Sequence, residues 1–295
     1  MFNIFIFGII VSLIAIMTII IYKKSSYIER NGDMVNKPTI AFVFDLDQTL
    51  GEFNEISMFI ESVSRYRAEN KYPSLNNTMK FAILDLFPQV FRPDIFNILN
   101  KIKFATRNNI HARRKNVNIY MYTNNQGDKE WPQLIADYFQ YKLGYKVFDY
   151  VIAAFKNYKN EPVEKCRTTH EKTIGDFFAC TKLPSSATQI CFVDDLVHSG
   201  MRTDNVYYIN INPYHFSYSF FDMSVKYYHM LFINETKNNQ GSNEAIDQEF
   251  IKTIISFMKQ YSGYTQSRFN PPDEEARISN YLKQHINTFL DIQMK

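Results

Sequence analysis

Two aspartates separated by a single residue, Asp45 and Asp47, follow a short apolar run that starts at Thr39. We expect this run to be a buried strand and both carboxylates to leave its carboxyl end on the same side. Carboxylates so close perturb each other's ionisation, which suits a division of labour between one ionised and one protonated group. The spacing therefore predicts that Asp45 attacks phosphorus and that Asp47 protonates the leaving oxygen.

Two further apolar runs end in groups that suit phosphate and metal chemistry. Residues 117–123 lead into Thr123-Asn124-Asn125, whose hydroxyl and backbone amides can hold phosphoryl oxygens. Residues 189–194 lead into Asp194 and Asp195, which with Asp45 form a hard oxygen cluster suited to Mg²⁺. Together these strand ends predict a phosphoryl-transfer site.

Elements that can position these side chains follow from the hydrophobic pattern. Strand-like runs at 39–45, 117–123, 149–154, 189–194 and 205–210 alternate with helical patterns at 95–103, 131–143 and 173–183. Such alternation predicts an α/β fold with a doubly wound parallel sheet, whose sites lie at the carboxyl ends of the strands. Residues 53–90 predict a small helical insertion after strand 1, and 243–261 and 273–294 predict amphipathic helices.

The motifs FDLDQTL, YTNN and FVDD, each at the end of a hydrophobic strand and in this order, resemble those of the haloacid dehalogenase-like (HAD) phosphatase superfamily. DLDQTL with the downstream FRPDIF at 91–96 is most similar to the branch of RNA polymerase C-terminal-domain phosphatases and NLI-interacting-factor-like small phosphatases. The resemblance covers about residues 38–213 and implies a Rossmann-like HAD sheet.

The resemblance also implies roles for individual residues. Asp45 would form an aspartyl-phosphate, and Asp47 would act as general acid and then base, with its backbone carbonyl on Mg²⁺. Thr123, Asn124 and Thr49 would bind the substrate. The metal set would be Asp45, Asp47, Asp194 and Asp195, with the choice of direct ligand between the last two left open.

A lysine that neutralises the nucleophile and the phosphate is the fourth element that the resemblance implies, and it should precede the fourth strand near a helix start. Lys172, just before Thr173, is the best placed. Lys165 and Arg167 are alternatives, and Lys182 lies at the far end of the same helix.

Departures from the branch affect the substrate more than the chemistry. Gln48 stands where the branch usually has an acid, and YTNN replaces the usual FTAS. The preferred substrate is a phosphoserine or phosphothreonine protein. The alternatives are small phosphometabolites or nucleotides, and an inactive membrane-tethered scaffold, which would show no turnover.

Composition limits the class of protein. The chain has 295 residues, of which 45% are hydrophobic and 21% charged, which excludes a disordered, collagen-like or disulfide-scaffold protein. The net charge of +3 is a small difference between 33 basic and 30 acidic residues, so we expect no nucleic-acid partner. Cys166, Cys180 and Cys191 are odd in number and lack C-x-x-C spacing, which predicts a reducing compartment rather than a bridged secreted domain.

The amino-terminal segment departs from the rest of the chain. Residues 2–22 carry no charge and would span roughly 30 Å as a helix, the thickness of a bilayer core. Lys23 and Lys24 follow at once, so the positive-inside rule predicts a single-pass anchor with the catalytic domain in the cytosol. The predicted organisation is an anchor at 1–22, a linker at 23–37, a phosphatase domain at 38–215 and a helical C-terminal extension at 216–295.

Overall fold

Five parallel strands form the centre of the protein, as the alternating pattern predicted. The computed structural model describes residues 38–105, 115–128, 130–233, 244–260 and 269–294. The strands are β1 (Thr39–Phe44), β2 (Asn116–Tyr122), β3 (Tyr150–Ile152), β4 (Thr188–Asp194) and β5 (Val206–Asn210).

Helices cover this sheet, and their positions follow the predicted amphipathic segments. They are α1 (Asn54–Glu69), α2 (Asn77–Leu86), α3 (Ile95–Phe104), α4 (Glu130–Leu143), α5 (Ile174–Thr181), α6 (Phe220–Tyr227), α7 (Glu244–Lys259) and α8 (Pro272–Gln293). A π-helical turn at Tyr228–Phe232 continues α6. The predicted helical insertion after the first strand is therefore the pair α1 and α2.

The strand order is β3-β2-β1-β4-β5, which puts β1 at the centre. Phe44 at the end of β1 is in register with Met121 of β2 on one side and with Val193 of β4 on the other. From β1 the chain adds β2 and then β3 on one side, and it then crosses back to add β4 and β5 on the other side. This reversal creates a crevice at the carboxyl ends of β1, β2 and β4, where open α/β sheets bind ligands.

The two faces of the sheet carry cores of unequal size. Alternate residues of β1 point to opposite faces: Phe42 and Phe44 join a large core that draws side chains from α1 to α4 and from α6 to α8. Ala41 and Val43 join a smaller core that includes Phe177 of α5. The insertion and the C-terminal helices thus share one core with the sheet.

The last helix packs directly on the central strand. The ring of Phe289 in α8 meets that of Phe42 edge to face at 5.4 Å between centroids. Glu275 of the same helix forms a buried ion pair with Arg92, at 3.0 Å. The helix α8 is thus packed against the sheet. The predicted division of the chain near residue 215 stays a prediction.

Among the described residues, no helix is both long and apolar enough to cross a bilayer. The anchor predicted at residues 2–22 and the linker at 23–37 lie outside the described residues and stay predictions.

The prediction of unbridged cysteines is wrong for one pair. Cys166 and Cys180 form a disulfide across 14 residues of sequence, while Cys191 is free and buried in β4. The bridge joins a loop to the last turn of α5, so only the folded chain brings the two thiols together. The compartment that the cysteine pattern predicted stays untested.

Candidate active site

Asp45 and Asp194 lie side by side because their strands are neighbours in the sheet. The amide of Asp45 donates to the Val193 carbonyl at 3.0 Å, which extends the β1–β4 ladder by one residue. Both side chains are buried. Carboxylate oxygens of Asp45, Asp194 and Asp195 all lie within 4.8 Å of one another, which brings together three of the four predicted metal ligands.

Lys172 supplies the positive charge in this cluster. Its Nζ donates to Asp194 Oδ2 at 2.7 Å and also contacts Asp45 Oδ1, and the residue is only 2% exposed. Lys165 and Lys182, two of the other candidates, are exposed to solvent. Of the four candidates, the structure thus brings Lys172 alone to the acids.

Local contacts explain how Lys172 reaches the site. Thr173 caps the start of α5, where its hydroxyl accepts from the Asp176 amide at 3.1 Å. The backbone of Gly200 lies against this segment, and a Cβ there would come within 2.9 Å of the Lys172 carbonyl oxygen. Glycine at position 200 therefore allows the loop after β4 to pack closely against the backbone of Lys172 and Thr173.

Arg167, the remaining candidate for the lysine role, serves a different purpose. Its guanidinium is buried and donates to the carbonyls of Thr123 at 2.9 Å and Ala153 at 3.0 Å, and to Asn124 Oδ1 at 2.8 Å. It also donates to the carbonyls of His170 and Glu171. Arg167 thus joins the loop after β2 to the segment that carries Lys172.

Asp47 stands slightly apart from the acidic cluster and faces the loop after β2. Its Oδ2 accepts from Asn125 Nδ2 at 2.8 Å, while its buried Oδ1 lacks a protein partner within the described part of the chain. Burial, reinforced by the charge of Glu52, raises the pKa of Asp47 to about 6, although the Asn125 hydrogen bond opposes the rise. A carboxyl with this pKa can give and take a proton near neutral pH, as the predicted acid–base role requires.

Thr123 and Asn124 take the positions expected of a phosphate-binding strand end. Thr123 is buried directly after β2, and its hydroxyl accepts from the Asn125 amide at 3.0 Å. Asn124 is half-buried and held through its side chain by Arg167. Their predicted contact with substrate stays a prediction.

Thr49 contacts Asp195, one of the metal-ligand candidates. The residue is fully buried, and its hydroxyl donates to Asp195 Oδ1 at 3.0 Å and accepts from the Asp195 amide at 3.1 Å. These two hydrogen bonds position a metal-ligand candidate. The predicted contact of Thr49 with substrate stays a prediction.

Arg92 is the positioning residue that the sequence reasoning missed. It is the second residue of the FRPDIF motif and is 1% exposed. Its guanidinium donates to the carbonyls of Thr49 at 2.8 Å, Gln48 at 2.7 Å and Asn212 at 2.8 Å. Gln48 has a left-handed backbone, with φ of 61°, so the loop after Asp47 turns sharply there. The burial of Arg92 depends on its partner Glu275, which lies 183 residues further along the chain. No local sequence pattern could therefore indicate this role.

The ionisation of the central groups is coupled. Burial and the neighbouring Asp194 raise the pKa of Asp45, whereas Lys172 opposes them. Burial also acts to raise the pKa of Asp194, but Lys172 and His198 outweigh it and the pKa falls below its usual value. Burial acts to lower the pKa of Lys172, yet the two carboxylates outweigh it and raise the pKa, so the lysine is charged.

The donor set fits a hard divalent cation. Asp45, Asp194 and Asp195 bring three carboxylates to one point, and Lys172 offsets one charge only. Excess buried negative charge is costly unless a cation shares the site. Oxygen ligands of this kind suit Mg²⁺, and the Asp47 carboxylate stays outside the cluster, which agrees with an expected contribution through its backbone carbonyl alone.

His198 borders the cluster as a loop residue. It is buried, with Nε2 at 3.5 Å from Asp194 Oδ2 and Nδ1 at 3.4 Å from Glu171 Oε1. It connects the loop after β4 to the Lys172 segment.

Comparison with known proteins adds little to this geometry. No protein-family model and no curated protein matches the chain. Among solved structures, one similar chain is that of a HAD-superfamily hydrolase of subfamily IA, variant 1, from Geobacter sulfurreducens PCA. The match has 10% identity and a TM-score of 0.29, and it covers 54% of this chain and 80% of that one, a likeness too low to carry an argument. What the structure establishes is a parallel five-stranded α/β fold with a buried acidic cluster and a lysine at its carboxyl edge.

Proposed function

We propose that the protein is a Mg²⁺-dependent phosphomonoesterase of the HAD type that acts through an aspartyl-phosphate. The observation that carries this proposal is the contact of Lys172 Nζ with both Asp45 and Asp194 at the end of β1 and β4. A lysine buried between two carboxylates is costly in a purely structural role, and it suits a site that must bind a dianionic phosphate. The motif resemblance agrees with this reading.

The chemistry follows from the positions of two aspartates. A carboxylate oxygen of Asp45 attacks phosphorus and the bond from phosphorus to the leaving oxygen breaks, while Asp47 gives its proton to that oxygen. Asp47 then takes a proton from water, which attacks phosphorus and breaks the bond to Asp45. Inorganic phosphate leaves, and both carboxyls return to their starting states.

The other residues hold and balance the reacting groups. Lys172 stabilises the charge that builds up on Asp45 and on the phosphoryl oxygens, and Thr123 with Asn124 binds those oxygens. Asp45, Asp194 and Asp195, with the Asp47 carbonyl, would hold Mg²⁺. When bound, the metal would supply electrostatic stabilisation of the phosphoryl group and favour the ionised form of Asp45.

The test uses the full chain purified in detergent with an aryl phosphate. We expect hydrolysis that requires Mg²⁺, that Asp45→Asn abolishes, and that leaves a hydroxylamine-sensitive phosphoryl label on Asp45 in quenched wild-type reactions. The matched control is Asp204→Asn, an exposed aspartate in the loop before β5. Absence of turnover with Mg²⁺ would overturn the enzyme proposal in favour of the scaffold alternative.

For the substrate we propose a phosphoserine or phosphothreonine protein. The support is the branch resemblance, together with a groove next to Asn125 that α1 and α2 line on one side. Small phosphometabolites or nucleotides are the alternative, and a screen across phosphopeptides, nucleotides and sugar phosphates separates them.

For the location we propose a single-pass anchor at residues 2–22 with the catalytic domain in the cytosol. The support is the uncharged segment followed by Lys23 and Lys24. The Cys166–Cys180 bridge points the other way, since disulfides are rare in reducing compartments. Protease protection of intact, sealed membranes decides: digestion of the catalytic domain only after permeabilisation would overturn the cytosolic placement.

A further inference from the structure

A groove lies next to Asn125, the hydrogen-bond partner of Asp47. It has a volume of about 540 Å³, which is within the range of ligand-binding clefts. One wall comes from the insertion helices α1 and α2, and the other from α4 and the loop after β2. Asn125 lines this groove and also donates to the Asp47 carboxylate at 2.8 Å, so the groove lies one side chain from the proton donor of the leaving group.

The charge of the groove is strongly one-sided. Four of its described lining side chains are carboxylates, and one is a lysine, Lys80: the acids are Glu61, Asp128, Glu130 and Asp137. Glu61, Asp128 and Glu130 are exposed, and none of the three has a cationic side chain within salt-bridge distance in the described part of the chain. These acids give the groove next to Asn125 and Asp47 an excess of negative charge among its described lining residues.

An aromatic side chain adds a second element of recognition. Trp131 lines the groove next to Glu130 in the sequence, packs partly against the large core, and makes no ring contact with another described aromatic residue. Tyr158 also lines it, but Lys159 already lies 5.5 Å from the centre of its ring. An indole face flanked by carboxylates favours an ammonium or guanidinium group.

We infer that this groove selects phosphorylated substrates whose leaving group carries positive charge, namely phosphoserine or phosphothreonine peptides with lysine or arginine beside the phosphorylated residue. The inference rests on the proposed phosphatase function and names its substrate class. Asn125 links the groove to Asp47, the proposed proton donor to the leaving group, whereas Lys172 contacts Asp45 and Asp194. A nucleotide or sugar phosphate brings no cation to the groove and gains nothing from these acids.

The test compares three peptides of one length that share a phosphoserine and carry arginine, alanine or glutamate on its flanks. The enzyme is the full chain in detergent with Mg²⁺, and each kcat/KM is measured at low and high salt. We expect the arginine peptide to exceed the glutamate peptide by at least about tenfold at low salt, with the ratio shrinking as salt screens the groove. An equal rate for all three, or a preference for glutamate, overturns the inference.

Charge-neutral variants then test whether the groove is responsible. In the triple variant Glu61→Gln, Asp128→Asn and Glu130→Gln, the arginine-to-glutamate ratio should fall to about threefold or less. A matched control removes three exposed acids that do not line the groove, by Glu69→Gln, Asp204→Asn and Asp291→Asn, and should keep the wild-type ratio. An equal fall in both variants would show an effect of net charge and overturn the inference. Using a ratio within each variant cancels any general loss of activity.

Two further substrates separate the possible failures. Phosphoethanolamine and phosphocholine carry the same charge on a small leaving group, and hydrolysis of these in preference to the arginine peptide would overturn the peptide assignment. An aryl phosphate reports the basal chemistry. If the wild type hydrolyses it but shows no charge preference, the groove inference fails alone, whereas no hydrolysis at all means that the proposed function has failed.

Discussion

The acidic half of the site and the lysine half are positioned by different means. Asp45 and Asp194 continue two buried parallel strands, so the backbone ladder and the apolar core fix them. Lys172 lies in the long connection between β3 and α5, where side-chain hydrogen bonds and a disulfide replace a ladder. A buried arginine stabilises each half, Arg92 behind the Asp47 loop and Arg167 behind the Lys172 segment.

The difference teaches where the site is vulnerable. Regular structure can absorb the loss of one polar contact, because the neighbouring hydrogen bonds of the ladder persist. The Lys172 segment depends instead on a few specific contacts, each made by one side chain. Arg92 and Arg167 differ as well: Arg92 is paired with the carboxylate of Glu275, whereas the hydrogen bonds of Arg167 go to carbonyl and amide oxygens.

The largest expected effect is the loss of Arg92. Arg92→Met leaves Glu275 buried without its partner and three carbonyls without a donor, so the free energy of unfolding should fall by about 3–5 kcal/mol. Urea unfolding followed by circular dichroism measures it. Lys142→Met, which breaks the half-exposed pair with Asp85, is the control and should cost at most about 1 kcal/mol. If Arg92→Met lowers the free energy of unfolding no more than Lys142→Met does, the acidic half does not depend on its arginine.

The second effect concerns the reaction. Lys172→Met removes the only cation in contact with both Asp45 and Asp194 among the described residues, and kcat/KM for an aryl phosphate should fall by about 10²–10³-fold. Lys165→Met, an exposed lysine in the same segment, should stay within about twofold of the wild type. A small effect at Lys172 would contradict its assignment and reopen the choice among the candidates.

The third effect separates the bridge from the hydrogen bonds that position Lys172. Opening the Cys166–Cys180 disulfide releases a loop of about 15 residues and should cost about 3 kcal/mol in the chain-entropy description. Thermal unfolding with and without reductant measures it. The double variant Cys166→Ser and Cys180→Ser should resemble the reduced wild type and show no response to reductant. If reductant does not change the thermal unfolding of the wild type, the polar contacts alone hold the segment.

The smallest effect is a pH dependence of stability at Asp47. Because burial raises its pKa from 3.8 to about 6, the folded protein binds a proton more tightly there than the unfolded chain does. The stability that this proton gives is complete below pH 3.8 and is lost as the pH rises through about 6. Asp47→Asn should therefore stabilise the metal-free protein at pH 7 by about 1–2 kcal/mol, allowing for partial exposure, and abolish turnover.

Unfolding curves at pH 4.5 and pH 7.5 in chelator check this prediction. The gain from Asp47→Asn should be confined to the higher pH. The same gain at both pH values would point to packing rather than to ionisation.

The sequence predicted the acidic half well, because local patterns determine it. The run before Asp45 and the run before Asp194 are apolar and short, and parallel strands bring their ends together. The lysine half was harder to predict, because three other basic residues lie within ten positions of Lys172 and no local pattern distinguishes a buried lysine from an exposed one.

Contacts that join distant parts of the chain were beyond the sequence patterns. Glu275 meets Arg92 across 183 residues, and the cysteine bridge depends on how the loop folds back onto α5. The hydrogen bond from the Thr49 hydroxyl to Asp195 joins residues 146 positions apart, so no local pattern could indicate it.

The pairing of Glu275 with Arg92 has a consequence for synthesis of the protein. The ribosome delivers the chain from its amino terminus, and domains begin to fold as they emerge. The strands that carry Asp45 and Asp194 can pair before α8 has been synthesised. At that stage Arg92, which holds the carbonyls of Gln48 and Thr49, still lacks Glu275 as its partner. In a nascent or truncated chain without α8, Arg92 lacks its carboxylate partner, so we expect the loop after Asp47 to reach its final arrangement only when α8 packs against it.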